Sequence, residues 1–165
     1  IGSDNWNDYC RFTIKHHSVC IYGEDFKKNI PSYNFNFVVD IIYERFALFN
    51  YIHLKESLKK IENKVVKNWD SIVENKSLEI KVMIGWISKR VIRFGNDLIY
   101  KKLDVYTRDL YPCCELFSKY YPEKKDKMEK ALKRAIFPKS NLNDLKEILD
   151  LGYWMVNEKE KCFNE

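Results

Sequence analysis

The sequence predicts an all-α protein: a compact helical bundle around one central buried helix at about residues 77–95, with an extra helix at its C-terminal end. Three observations carry this. Ile80, Ile84, Ile87, Val91 and Phe94 recur at steps of four, three, four and three, which is one stripe of an α-helix. Leu78, Val82, Met83 and Trp86 add apolar surface on a second side, and a helix apolar over most of its circumference is expected to be buried. Only 5 Gly and 4 Pro occur in 165 residues, which suits long helices with short connections better than a many-stranded sheet. Glu79, Lys81, Lys89, Arg90 and Arg93 interrupt the central run, so it is too charged to cross a bilayer.

The elements follow in order. A first helix is expected over residues 4–19, capped by Ser3 or Asp4, with Trp6, Tyr9, Cys10, Thr13, Ile14 and His17 at helical spacing. Tyr22-Gly23 breaks the pattern. Residues 24–30 are expected as a second helix stopped by Pro31, because the residue before proline is pushed out of helical geometry. Phe35, Val38, Val39, Ile42, Tyr43, Phe46 and Phe49 predict a helix over 35–51; Tyr33, Phe35 and Phe37 alternate as a strand would, but the alternation stops at Val38. Leu58, Ile61, Val65, Trp69 and Ile72 predict an amphipathic helix over 55–73 with a lysine-rich outer face. Asn75-Lys76-Ser77 is a break. Ser77 is the expected cap of the central helix, and Glu79 favours the positive end of its dipole.

Gly95-Asn96 is expected to end the central helix, since glycine accepts left-handed geometry at a helix terminus. Gly85 inside the helix costs about 1 kcal/mol relative to Ala, so it is expected to permit a close helix approach. Asp97 or Asp104 should open the next helix, with Leu103, Tyr106, Leu110, Cys114 and Phe117 on one face and a kink at Pro112. Pro122 and Glu123 start a charged helix to Ile136, with Met128, Leu132 and Ile136 at i, i+4 and i+8. Pro138 to Ser140 form a hinge. Asn141 then caps a last helix over 142–156, in which Leu145, Ile148, Leu149 and Trp154 are apolar.

Length suggests a single helical domain over 1–165, with 139–165 as the C-terminal extension helix and 1–3 as a remnant ahead of the native start. Apolar residues are 45% and aromatics 15%, enough for a real core and against disorder. The net charge of +5 comes from 29 basic and 24 acidic residues interleaved along the helices. That describes a mixed surface, not a basic stripe that tracks phosphates, so nucleic acid is disfavoured as a partner. Cys10, Cys20, Cys113, Cys114 and Cys162 are an odd set without framework spacing and are expected as reduced thiols. No signal peptide or spanning segment is visible.

Catalytic chemistry finds no foothold. Gly23, Gly85 and Gly95 are isolated and form no phosphate loop. Adjacent His16 and His17 cannot place both rings on one helical face. Cys10 and His17 would lie two turns apart, too far for a nucleophile–base pair. No catalytic, cofactor or metal site is therefore expected, and the chain reads as a non-enzyme.

Four stretches carry a resemblance. The opening NDYCRFTIKHHSV and the following IYGEDFKKNI, then SLEIKVMIGWISKRVIRFG, and finally YKKLDVYTRDLYPCCELFSKYY with KMEKALKRAI, resemble in order the helices of the poxvirus Bcl-2-like family. The resemblance covers about residues 5–137. Residues 141–165 extend past that family's usual end, and the Asn-Trp-Gly-Arg groove motif of cellular relatives is missing; Asn68-Trp69-Asp70 is a partial echo elsewhere. The resemblance implies a viral protein in the host cell cytoplasm, without a membrane anchor. It would bind host proteins and inhibit innate immune signalling towards NF-kappa-B or interferon induction, with a homodimer compatible with such a fold. Two alternatives stand beside it: an inhibitor of apoptosis that takes pro-death helices in a groove, and a basic helical nucleic-acid-binding protein. The candidate partner-binding residues are Trp6, Tyr9, Phe12 and Trp154, exposed aromatics being the usual anchors of such contacts.

Overall fold

A computed structural model describes residues 10–11, 14–15, 18–31, 44–103 and 107–163, and among these it is helical without a strand. The chain divides into two compact units, Ile1–Phe46 and Ala47–Glu165.

In the first unit, Cys10, Arg11, Ile14 and Lys15 are helical, while Ser18 and Val19 have already left the helix. Gly23 takes a left-handed φ of +85°, where glycine has no Cβ to clash. The helix expected over 24–30 is a single 3₁₀ turn, Phe26–Asn29. The Asp25 carboxylate accepts from Lys27 N at 3.1 Å and caps it. Lys15 Nζ donates to Lys27 O at 2.7 Å, and Lys27 Nζ donates to Ser18 O at 2.9 Å, which ties the turn to the segment before it. The candidate residues Trp6, Tyr9 and Phe12 lie outside the described residues, as do His16, His17 and residues 32–43.

The second unit is the bundle. Helix α1 (Glu44–Lys64), which belongs to this unit from Ala47 onward, runs through the break expected after Tyr51. No glycine or proline interrupts it, and buried Ala47, Leu54, Leu58 and Ile61 keep one stripe. The helix expected over 55–73 instead ends at Lys64. A 3₁₀ turn, Val66–Asn68, separates it from α2 (Trp69–Ile99). Asn68 Nδ2 donates to Lys64 O at 3.2 Å and satisfies a carbonyl at the helix end. The break at Asn75-Lys76-Ser77 is a kink inside α2, where Lys76 has φ −140° and ψ 37°. Ser77 does not cap there; its hydroxyl meets Ser140 Oγ at 3.2 Å, and Ser140 Oγ donates to Ser77 O at 2.9 Å.

The central helix is where it was expected. Ile80, Ile84, Ile87, Val91 and Phe94 are all buried, and α3 (Leu110–Tyr120), α4 (Lys125–Ile136) and α5 (Leu142–Phe163) pack around it. At roughly 1.5–3 kcal/mol for each fully buried large aliphatic side chain, this stripe is a principal source of stability. The helix continues past Gly95-Asn96 to Ile99, and among the described residues the only positive-φ glycine is Gly23. Gly95 therefore serves as a contact point. A Cβ there would lie 2.6 Å from Met128 Cε and 2.9 Å from the Phe117 ring. Gly85, the expected point of close approach, is looser, with Pro138 Cβ at 3.4 Å.

Neither Asp97 nor Asp104 opens the next helix. Asp97 is inside α2, Asp104 lies outside the described residues, and α3 begins after Asp109. Pro112 sits in the first turn of α3, where its missing N–H would have had no intrahelical partner, so no kink follows. In α4 the buried residues are Met128, Ala131 and Ala135, while Leu132 and Ile136 are half-buried. Asn141 Oδ1 accepts from Asp144 N at 2.9 Å and caps α5 as expected. That helix is longer than expected and lies within the core, with Leu145, Ile148, Leu149, Leu151, Met155 and Val156 buried. Asp144 also pairs with Arg134 at 2.5 Å, which fixes α5 to α4.

Candidate functional site

Over residues 78–90 the central helix is buried on one side only, whereas from 91 to 99 it has no exposed residue. Leu78, Val82 and Trp86, expected in the core, are 74%, 65% and 44% exposed. They are spaced i, i+4, i+8 and form a ridge about 12 Å long at 1.5 Å rise per residue. The physical reason is angular. Each ridge residue precedes or follows a core residue by two positions, about 200° around a helix of 3.6 residues per turn, so one packed side leaves the other facing water. Arg90 places its guanidinium 4.5 Å from the centroid of the Trp86 ring, which holds that ring against the helix.

Beside the ridge lies a trough between the C-terminal half of α1 and the kinked half of α2, enclosing about 460 Å³. Ile61 and Val65 form its floor, and Ile72, Met83 and Trp86 its far wall. Ile72, Lys76, Glu79, Met83 and Trp86 are spaced four, three, four and three, a second stripe of α2 about 100° from the core stripe. Ile61 and Val65 are each only 4% exposed and belong to the core beneath the trough. Lys60, Lys64, Lys76 and Glu79 supply its charges. Lys76 pairs with Glu79 at 3.5 Å. Lys60 and Lys64 make no ion pair among the described residues.

Trp154 is half-buried at the other end of the bundle. Its ring meets Tyr121 at 5.1 Å and Phe117 at 6.2 Å, both edge-on, and Lys124 Nζ lies 4.8 Å from its centroid. These contacts join α5 to α3 and give the ring a packing role.

A buried polar cluster sits where α1 crosses α2. Asp97 accepts from Asn50 Nδ2 at 2.8 Å. Burial pushes its carboxyl up to about 7, although the Asn50 hydrogen bond and the charges of Arg108 and Lys159 act the other way. Asn96 Nδ2 donates to Thr107 O at 3.1 Å and Arg93 Nε to Arg108 O at 3.2 Å, which anchors the chain leading into α3. Burial raises the Cys113 thiol to about 12, with the Asp97 charge adding to it, and burial also raises Cys114. Thiols held protonated in this way are inert packing groups. Among the described residues no group of histidine, cysteine and carboxylate side chains could hold a metal ion, and no helix is long and apolar enough to cross a membrane.

No family model matches this chain, and no curated protein or solved structure does either.

Proposed function

We propose that this chain is a non-enzymatic binding module, a viral Bcl-2-like protein that sequesters a host innate immune signalling protein in the cytoplasm and so suppresses NF-kappa-B or interferon induction. The observation that carries this reading is the ridge of Leu78, Val82 and Trp86, three large apolar side chains in line on the outer face of the central helix. Exposed apolar residues that are contiguous mark contact surfaces, and an aromatic beside an arginine is the composition of an interface anchor.

The sequence bears on the apoptosis-inhibitor alternative. The Asn-Trp-Gly-Arg groove motif is absent, which supports the signalling reading over capture of a pro-death helix. The double variant Leu78→Asp, Val82→Asp tests the proposal. Both positions are exposed, so it should melt within a few degrees of the parent. Expressed in host cells, the parent should suppress an NF-kappa-B or interferon reporter and co-purify one signalling protein; the double variant should do neither. Equal suppression by both proteins would refute the ridge as the docking face. Tight calorimetric binding of several pro-death peptides would move the protein to the apoptosis class.

A further inference from the structure

We infer that the trough between α1 and α2 is a binding site for a single-chain anionic amphiphile, a free long-chain fatty acid, whose carboxylate is held by Lys60 and Lys64. Three observations meet here. The trough encloses about 460 Å³, within the roughly 300–1,000 Å³ typical of small-ligand sites. Its floor and far wall are mostly aliphatic, thioether and indole, with the Ser57 hydroxyl and the Trp86 N–H as the uncharged polar groups of the lining. Its charge is unbalanced: the Lys76–Glu79 pair cancels, leaving Lys60 and Lys64 unmatched on its rim.

Those two lysines stand one helical turn apart on α1, about 6 Å between Cβ atoms, so one carboxylate can meet both ammonium groups. The lining then selects the tail: Ile61 and Val65 with Ile72, Met83 and Trp86 offer an alkyl chain apolar contacts along the trough. Met83 on the wall is unbranched and adapts to an irregular chain. Ile72, on the other side of the kink at Lys76, lines the same trough as Met83 and Trp86.

The test is calorimetric titration of the full chain with sodium oleate below its micelle concentration, with Trp86 fluorescence followed in parallel. Saturable one-to-one binding is expected. Oleyl alcohol, with the same tail and no charge, should bind at least tenfold more weakly. Lys60→Gln with Lys64→Gln changes only exposed side chains and should lower oleate affinity at least tenfold without altering the melting temperature. Ile72→Trp should lower it by filling the trough. Absence of saturable binding, equal affinity for acid and alcohol, unchanged affinity in the folded lysine variant, or binding only to phosphatidylglycerol vesicles would each overturn the assignment. The inference is separate from the docking reading: the Leu78→Asp, Val82→Asp variant should keep its oleate affinity, since neither residue lines the trough.

Discussion

Two glycines ten residues apart on the same helix should respond to the same substitution with opposite signs. Gly→Ala inside a helix contributes up to about 1 kcal/mol of stability through the lower entropy of the unfolded chain and better propensity. At Gly85 nothing opposes it: the added methyl would meet Pro138 Cβ and Cγ at 3.4 and 3.5 Å, ordinary contact distances. Gly85→Ala should stabilise by about 0.5–1 kcal/mol. At Gly95 the methyl would lie 2.6 Å from Met128 Cε, 2.9 Å from Phe117 Cδ2 and 3.3 Å from Phe117 Cγ. The methionine end can swing, but the Phe117 ring is fully buried and has nowhere to go. Overpacking of this kind costs about 1–3 kcal/mol, which exceeds the propensity gain. The two variants should therefore differ by about 2 kcal/mol in urea unfolding with m unchanged, and by roughly 4–8 °C in Tm. A Gly95→Ala variant at least as stable as Gly85→Ala would refute the close contact between α2 and α3 on which the core description rests.

Two further outcomes follow from burial. Ile87→Asp places an unpaired carboxylate at a fully buried position and should abolish cooperative unfolding at neutral pH, seen as loss of the thermal transition in circular dichroism; a soluble, cooperative variant would contradict the central-helix assignment. Asp97 has a folded-state pKa of about 7, above the ordinary carboxylate value of 3.8, so its protonated form is the one the fold prefers. The sign is opposite to that of a salt-bridged aspartate: this group costs nothing below about pH 4, and its cost grows up to about pH 7 to a ceiling of roughly 4 kcal/mol. Asp97→Asn should remove that slope and gain most at pH 8, and parallel urea curves for parent and variant at pH 5 and pH 8, with an unchanged difference between them, would contradict it.

The inner side of the bundle was legible because a single periodicity fixes it. Ile80, Ile84, Ile87, Val91 and Phe94 can share a face in only one way, and each is buried. The Asn141 cap was legible for a similar reason, since local chemistry decides it, while Pro122 opens a 3₁₀ turn, Pro122–Lys124, ahead of α4 and not α4 itself. The misses have a common origin in tertiary context. A glycine near an expected helix end reads as a terminator, and only the Phe117 ring shows that Gly95 is a contact point. Pro112 reads as a kink until the start of α3 at Leu110 puts it in the first turn. Val65-Val66 carries no breaker signal, yet the chain turns there. The candidate surface was the least legible part. Leu78, Val82 and Trp86 look like core by composition, and nothing in a linear pattern tells how many sides of a helix its neighbours will cover.

That last point joins fold to function. α2 must satisfy three directions with one sequence. Its core stripe meets α3, α4 and α5; its second stripe lines the trough beside α1; its third, the ridge, faces outward. A straight helix would carry residues 69–75 along the line set by residues 77–99, and the kink at Lys76 changes that line just where α1 ends and the trough begins. Lys76 and Glu79 pair across the kink, so the second stripe is polar at the bend and apolar on either side of it. The consequence is a surface on which an outward apolar ridge and a covered apolar trough lie side by side and share Trp86. A ligand in the trough would contact the inner edge of that indole while a docked protein would contact its outer face. Two such ligands would share one side chain, and any coupling between them would be reciprocal, each changing the affinity of the other by the same factor.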